Sequence, residues 1–384
     1  MVDEEKSNNE MVTLRTWEEL SNEVQNRADL QRYPLTGMQP EDVREALKNT
    51  GSLNRDSWSK SWSRIGDRYR TLAEKQLEHD VKQASENYLN AWRFFGFAAW
   101  PTQNTSLKKQ AFKTSLESFR SYAGLVSPSI ERLQIPFQKQ KVTFYLQIPE
   151  NTKEPVPLLL SFGGLDSYKE YVVERYGPDY LKNGFGYAAL DIPGTGETPI
   201  KASADAVSMY SVIIDYLEGR DDIDSSRLAV MGVSQGGYWS ARLAIEEVDR
   251  LAAAVFWAGP THTTFQRQWL EKSTSTNEYL FDYLPARLSI YGVTTWEEYL
   301  EVVPNMSIEK LGLLEAPTPE MLLVSGEKDT QTSIEDLYLL QRSGQPKYSW
   351  VNPSGGHLGR SKDWPDERIL REVIIPFLRD RLIN

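Results

Sequence analysis

The hexapeptide Gly232-Val233-Ser234-Gln235-Gly236-Gly237 constrains the fold more than any other feature. It lies between the apolar run Leu228–Val233 and a helical pattern from about Gln235 to Glu247. A buried strand that passes straight into a helix leaves room only for a sharp turn. Glycines on both sides of the serine keep Cβ atoms out of the space between strand and helix. The serine takes a strained backbone and stands above the carboxyl end of a sheet. The helix N-terminus behind it favours developing negative charge. The alternative is a tight turn with an incidental serine, and the strand before and the helix after weigh against it. Ser234 is the candidate nucleophile.

A serine hydroxyl needs a base to remove its proton, and imidazole suits that role near neutral pH. The chain has three histidines, His79, His262 and His357. His357 lies in Ser354-Gly355-Gly356-His357-Leu358-Gly359, where a glycine-rich loop after the last expected strand can carry the ring over the serine. His79, within Glu78-His79-Asp80, reads as solvated. His262 follows Gly259-Pro260-Thr261 and opens the segment next to the expected site. It reads equally as a donor to substrate or as a satisfied loop histidine, and Phe265 and Trp269 beside it are candidate substrate contacts.

The third group orients the imidazole. Asp329, in Gly326-Glu327-Lys328-Asp329 after the expected strand Met321–Ser325, fits best. Glu327 is its nearest rival, and Asp166 and Asp191 are weaker ones. The chain order Ser, Asp, His is the one expected for a nucleophile on such an elbow. An oxyanion hole needs two backbone N–H donors. Gln235 supplies one; the other is assigned to Gly164, in Phe162-Gly163-Gly164-Leu165, with Leu165 next. The turn Asp191-Ile192-Pro193-Gly194-Thr195-Gly196 lacks the spacing of a dinucleotide or phosphate loop and reads as structural.

Residues 1–12 are polar and are expected to be disordered. From there to about 130 the pattern is helical: Phe112, Leu116, Phe119 and Ala123 fall on one helix face. The aromatic cluster Trp92, Phe94, Phe95, Phe97 and Trp100 in this region reads as core or as a subunit contact, and it makes a homodimer an option. Two antiparallel strands, near Leu133–Pro136 and Val142–Ile148, precede strands alternating with helices, the signature of a mostly parallel, doubly wound sheet. Residues 260–319 break that rhythm and read as an inserted helical cap; 320–384 complete the core begun at 131–259.

With 384 residues, two or three units are expected at roughly 150 residues per domain. The net charge of −11 and the lack of a basic run argue against nucleic acid. The absence of cysteine excludes disulfides and thiolate chemistry. Three scattered histidines without an H-x-x-x-H pair speak against a zinc site, and no cofactor motif is present. The start, MVDEEKSNNE, lacks the basic and apolar regions of a secretory signal, and the apolar runs fall short of the ~20 residues of a membrane span. The expectation is a cytoplasmic protein without membrane contact.

The segments Tyr88-Leu89-Asn90-Ala91-Trp92-Arg93-Phe94, Gly163-Gly164-Leu165-Asp166-Ser167-Tyr168-Lys169-Glu170 and Asp191-Ile192-Pro193-Gly194-Thr195-Gly196-Glu197, with the Ser234 elbow, resemble one branch of the α/β hydrolases. That branch includes 2,6-dihydroxypseudooxynicotine hydrolase, the fungal yellowish-green pigment polyketide-shortening hydrolases and proteins of the fermentation-respiration switch type. The resemblance covers roughly residues 60–384. It implies an α/β-hydrolase fold with a helical N-terminal domain and a helical cap. It also implies cofactor-independent hydrolysis of a small hydrophobic or aromatic carbonyl compound. Carbon–carbon cleavage of an aryl ketone, 1,3-dicarbonyl or polyketide is the first expectation. Carboxylesterase or lactonase activity is the second, and a non-catalytic binding protein on the same fold is the third.

Overall fold

The strand pattern after residue 130 becomes an eight-stranded sheet in the computed structural model, which describes residues 9–383. The strands are β1 (Glu131–Phe137), β2 (Gln140–Gln147), β3 (Val156–Phe162), β4 (Gly186–Leu190), β5 (Ile223–Val233), β6 (Ala253–Trp257), β7 (Glu320–Gly326) and β8 (Tyr348–Asn352). Their spatial order is β1-β2-β4-β3-β5-β6-β7-β8. The pairs β1–β2 and β2–β4 are antiparallel and the other five are parallel. Strands β3, β4 and β6 are buried at every position. Helices cover both faces of such strands, which is why their sequences run apolar without alternation. The chain steps outward from β3 to β4, then returns to place β5 on the other side of β3. In sheets of this kind ligands bind above the carboxyl ends of the strands where the direction of winding reverses.

By its internal contacts the chain divides into two units. One takes the chain up to Ile130 together with Ser275–Ala286; the other takes Glu131–Thr274 and the chain from Arg287 onward. Helices α1 (Trp17–Asp29), α2 (Pro40–Thr50), α3 (Arg55–Gln76), α4 (Val81–Ala99) and α5 (Ser106–Ala123) build the first unit. Their apolar faces meet in an aromatic core. The Trp58 ring lies 5.0 Å from Trp62 and 4.8 Å from Phe281, and Trp62 lies 4.6 Å from Phe97. Phe94, Phe97 and Trp100 belong to this core, and Trp92 packs edge-on to Phe119.

Part of the disorder expected for residues 1–12 concerns residues 1–8, which lie outside the described residues. Residues 9–12 are ordered: Glu10 bridges to Asn54, and Met11 is buried with its N–H on the Leu53 carbonyl at 2.8 Å.

In the second unit, α6 (Lys169–Arg175), α7 (Gly177–Lys182), α8 (Ser208–Glu218) and α9 (Gln235–Glu246) accompany the first strands. Between Lys169 and Lys182 the chain forms two short helices rather than one. Pro178 has no N–H to continue α6 and sits instead in the first turn of α7. The irregular region after β6 holds α10 (Arg267–Thr274), α11 (Tyr283–Tyr291), whose residues up to Ala286 belong to the first unit, and α12 (Trp296–Val302). The end of the chain holds α13 (Ile334–Arg342), α14 (Asp366–Ile369) and α15 (Ile375–Leu382). A π turn, Leu370–Ile374, joins α14 to α15 just before Pro376, where a regular helix would lose a hydrogen bond. Among the described residues, no helix is long and apolar enough to cross a membrane.

The segment Ser275–Ala286, expected within the cap, is held in the first unit by a buried charge cluster. Asp282 receives Arg55 through two N–H groups at 2.8 and 2.7 Å and the Val12 N–H at 2.8 Å, and Lys108 Nζ lies 3.6 Å away. Burial opposes ionisation of Asp282, but Arg55 and Lys108 outweigh it and hold the carboxyl below its ordinary range. Asp282→Asn keeps the shape and leaves two cations without their counter-charge. We expect it to cost about 3–5 kcal/mol in urea unfolding. A cost below ~0.5 kcal/mol, the range of an ordinary surface change, would contradict this role.

Candidate active site

Ser234 occupies the turn between β5 and α9 with φ 55° and ψ −124°. Its N–H donates to the Trp257 carbonyl and its own carbonyl accepts the Gly237 N–H, both at 2.8 Å. The turn is tight because nothing larger than hydrogen fits beside it. A Cβ on Gly232 would lie 1.9 Å from the Gly236 carbonyl oxygen, and one on Gly236 would lie 2.2 Å from that of Gly163. The serine hydroxyl is thereby raised above the carboxyl end of β5, at the N-terminus of α9.

His357 follows β8 on the glycine-rich loop. Its Nε2 lies 2.9 Å from Ser234 Oγ, and its Nδ1 lies 2.8 Å from Asp329 Oδ2. Asp329 follows β7, and its side chain is fully buried. Its Oδ1 accepts the N–H groups of Gln331 and Thr332 at 2.8 and 3.0 Å, and its Oδ2 accepts the Thr332 hydroxyl at 2.8 Å. Burial raises the cost of its charge, but His357 and the Thr332 bonds prevail and keep the carboxyl below its ordinary range. An ionised carboxylate only accepts. Nδ1 therefore carries the imidazole proton, and Nε2 faces the serine as an acceptor.

Three predicted residues, far apart in sequence, thus form one hydrogen-bonded series. Glu327 points elsewhere, accepting from the Tyr338 hydroxyl at 2.7 Å. Asp191 is engaged with a fully buried lysine: Lys169 Nζ lies 2.9 Å from Asp191, 3.0 Å from Glu170 and 2.9 Å from Glu197. The Lys169 N–H also donates to Asp191, at 2.8 Å. This cluster ties the start of α6, and so the loop from Gly163 to Tyr168, to the end of β4. Burial opposes the charge on Lys169, but Asp191, Glu170 and Glu197 hold its ammonium protonated, while burial pushes the Glu170 carboxyl itself up to about 7. His79 is exposed.

Of the expected oxyanion donors, Gln235 is the first residue of α9, where an N–H has no acceptor within the helix. Its side-chain amide lies 3.4 Å from the Tyr291 hydroxyl. The Gly164 N–H is already spent, donating to Ser167 Oγ at 2.7 Å. Leu165, the next residue, is partly exposed.

The three expected substrate contacts separate. His262 Nδ1 lies 2.8 Å from Ser307 Oγ and 3.0 Å from Glu309 Oε2, and its backbone N–H donates to Asp336 at 2.7 Å. Its ring is engaged with the protein itself. Phe265 offers no surface to a ligand: it is fully buried, edge-on to Tyr238 at 5.4 Å. Trp269 is partly exposed and donates its indole N–H to the Gln331 carbonyl at 3.2 Å. Sequence reading passed over Thr332, Ser167 and Lys169.

The low folded value of the Asp329 carboxyl has a sign that can be checked. A carboxyl held below its unfolded value stabilises the fold above that value, and the contribution is lost as pH falls through the folded one. We expect the stability gap between wild type and Asp329→Asn to shrink between about pH 5 and pH 2 in urea unfolding. A gap that is flat or widens on acidification would contradict the assignment.

Comparison with known proteins agrees with this architecture. Residues 43–347 match the family model "Esterase FrsA-like". The chain is 26% identical over 237 residues to the esterase FrsA of Vibrio cholerae serotype O1, covering 60% of this chain and 55% of that protein. It is 29% identical over 241 residues to the hydrolyase poxO of Penicillium oxalicum, covering 56% and 55%. The chain therefore spans about half the length of the curated relatives it matches. Among solved structures, 2,6-dihydroxy-pseudo-oxynicotine hydrolase superposes with a TM-score of 0.73 at 23% identity, over 85% of this chain and 89% of that one. Wild-type AbyA5 superposes with a TM-score of 0.73 at 20% identity, over 93% and 94%. At these identities the two structures establish the fold. The chain belongs to the esterase FrsA-like family and has the α/β-hydrolase fold.

Proposed function

We propose that the chain is a cofactor-independent serine hydrolase acting on a small hydrophobic carbonyl compound, with Ser234 as nucleophile, His357 as base and Asp329 as the acid that orients it. The observation that carries the reading is the continuous series Ser234–His357–Asp329, with separations of 2.9 and 2.8 Å. On this reading His357 Nε2 takes the hydroxyl proton as Ser234 Oγ adds to the carbonyl carbon. Asp329 stabilises the imidazolium that forms. The N–H groups of Gln235 and Leu165 receive the oxyanion, because the Gly164 N–H is held by Ser167. The tetrahedral adduct then collapses. His357 gives its proton to the leaving group, which is an alkoxide for an ester or lactone and a stabilised carbanion for a 1,3-dicarbonyl or aryl ketone. Water, deprotonated in turn by His357, releases the acyl group from Ser234.

The family name and the bacterial relative called an esterase support cleavage of a carbon–oxygen bond. Carbon–carbon cleavage, the first expectation from sequence, uses the same groups and differs only in the leaving group. A panel of aryl esters, lactones and 1,3-diketones separates the two. We expect turnover of aryl esters, with diketone cleavage marking the second chemistry. His357→Ala and Asp329→Asn should each lower kcat by about four orders of magnitude, and Ser234→Ala by at least as much. No turnover across the panel, or a Ser234→Ala variant as active as wild type, would refute the reading. Near-wild-type activity in either of the other variants would remove that residue from it.

A further inference from the structure

Three loops meet at the site, and each carries one member of the series: the elbow after β5, the loop after β7 and the loop after β8. The end of β6, which lies between β5 and β7, touches all three. Trp257 accepts the Ser234 N–H on its backbone carbonyl at 2.8 Å. The indole of Trp257 is fully buried and donates its Nε1–H to the Leu358 carbonyl at 2.8 Å. The Ala258 carbonyl lies 3.1 Å from the Thr332 hydroxyl, whose one proton is shared between that carbonyl and Asp329 Oδ2, 2.8 Å away. The dipeptide is itself clamped: the Ala258 N–H donates to the Val324 carbonyl at 2.7 Å.

Two backbone strains make these ties more than incidental packing. Leu358, the neighbour of His357, has φ 65°, and Ala258 has φ 50°. Side-chain-bearing residues hold such conformations only where the surroundings enforce them. At Leu358 the Trp257 indole N–H grips the carbonyl of the strained residue itself. At Ala258 the left-handed turn presents the carbonyl to Thr332. Gly259 follows, where a Cβ would lie 2.6 Å from the Gly237 carbonyl carbon, so β6 ends pressed against the start of α9.

We propose that Trp257 is a positioning residue for the hydrolytic site: its carbonyl fixes the Ser234 elbow and its indole N–H fixes the His357 loop, setting the distance between hydroxyl and imidazole. Nothing in the reaction touches the indole. It acts through Leu358 on the register of His357, and through Ala258 it shares an anchor with the Asp329 loop. The proposal rests on the reading of Ser234 and His357 as nucleophile and base, so its test includes a measurement independent of turnover.

Trp257→Phe keeps the apolar bulk and removes the N–H donor. Where phenylalanine does not support the fold, 3-benzothienylalanine at 257, introduced by nonsense suppression, replaces only the N–H with sulfur. Three quantities are compared with wild type: kcat and KM on an aryl ester, the thermal midpoint, and the low-field proton resonance of the His357–Asp329 hydrogen bond, identified by its loss in His357→Gln. A mispositioned imidazole should lower kcat on the order of 10- to 100-fold with KM unchanged, because an error of about 1 Å costs rates of that size. The thermal midpoint should stay within a few degrees, and the low-field resonance should shift or broaden. A wild-type kcat with an unshifted resonance, whatever the thermal midpoint, would overturn the proposal. If wild type hydrolyses no ester yet the resonance moves in the variant, the positioning role stands and the activity reading fails.

Discussion

At Ser234 the backbone leaves β5 and enters α9 with φ near +55°, a conformation that side-chain-bearing residues adopt only under constraint. The surroundings supply that constraint. Gly232, Gly236 and Gly163 interlock so closely that Cβ atoms would overlap neighbouring carbonyls. The carbonyl of Trp257 holds the serine N–H from the adjacent strand. The proposed catalytic series depends on this packing, because a hydroxyl presented one residue earlier or later would face the sheet or the helix. The sheet order matters for the same reason. It puts the carboxyl ends of β5, β7 and β8 on one edge, so that loops carrying residues 28 and 123 positions apart in sequence converge.

Both units keep charges away from water, and both do so with more than one counter-charge. In the first unit Asp282 faces Arg55 and Lys108; in the second Lys169 faces three carboxylates. An unpaired buried charge is costly, and such a cluster is more effective at fixing a register than at adding net stability. In the first unit the register is that of the segment Ser275–Ala286. In the second it is that of the Gly163–Tyr168 loop, which carries the proposed oxyanion donor Leu165. The charges thus act on the site through loop position rather than through chemistry.

The sequence made Ser234 legible because strand, glycine and helix signals coincide within a few residues, and His357 because the chain has so few histidines. Asp329 followed from chain order and from its place after a buried strand. What stayed hidden depends on long-range contacts. Nothing local marks Asp282 as a partner of Arg55, or places Ser275–Ala286 with helices some two hundred residues earlier. Phe265 was a candidate substrate contact, yet its ring turns into the core. The Gly164 N–H was a fair oxyanion candidate until Ser167, three residues on, was seen to occupy it.

The central claim is that the Ser234 hydroxyl is a nucleophile activated by its place in this geometry. Stoichiometric reaction with a fluorophosphonate probe, followed by intact mass and peptide mapping, tests it without knowledge of the substrate. A single adduct per chain is expected, on the peptide that contains Ser234, and none in Ser234→Ala. No adduct on the folded wild type, or an adduct of equal yield in Ser234→Ala, would contradict it.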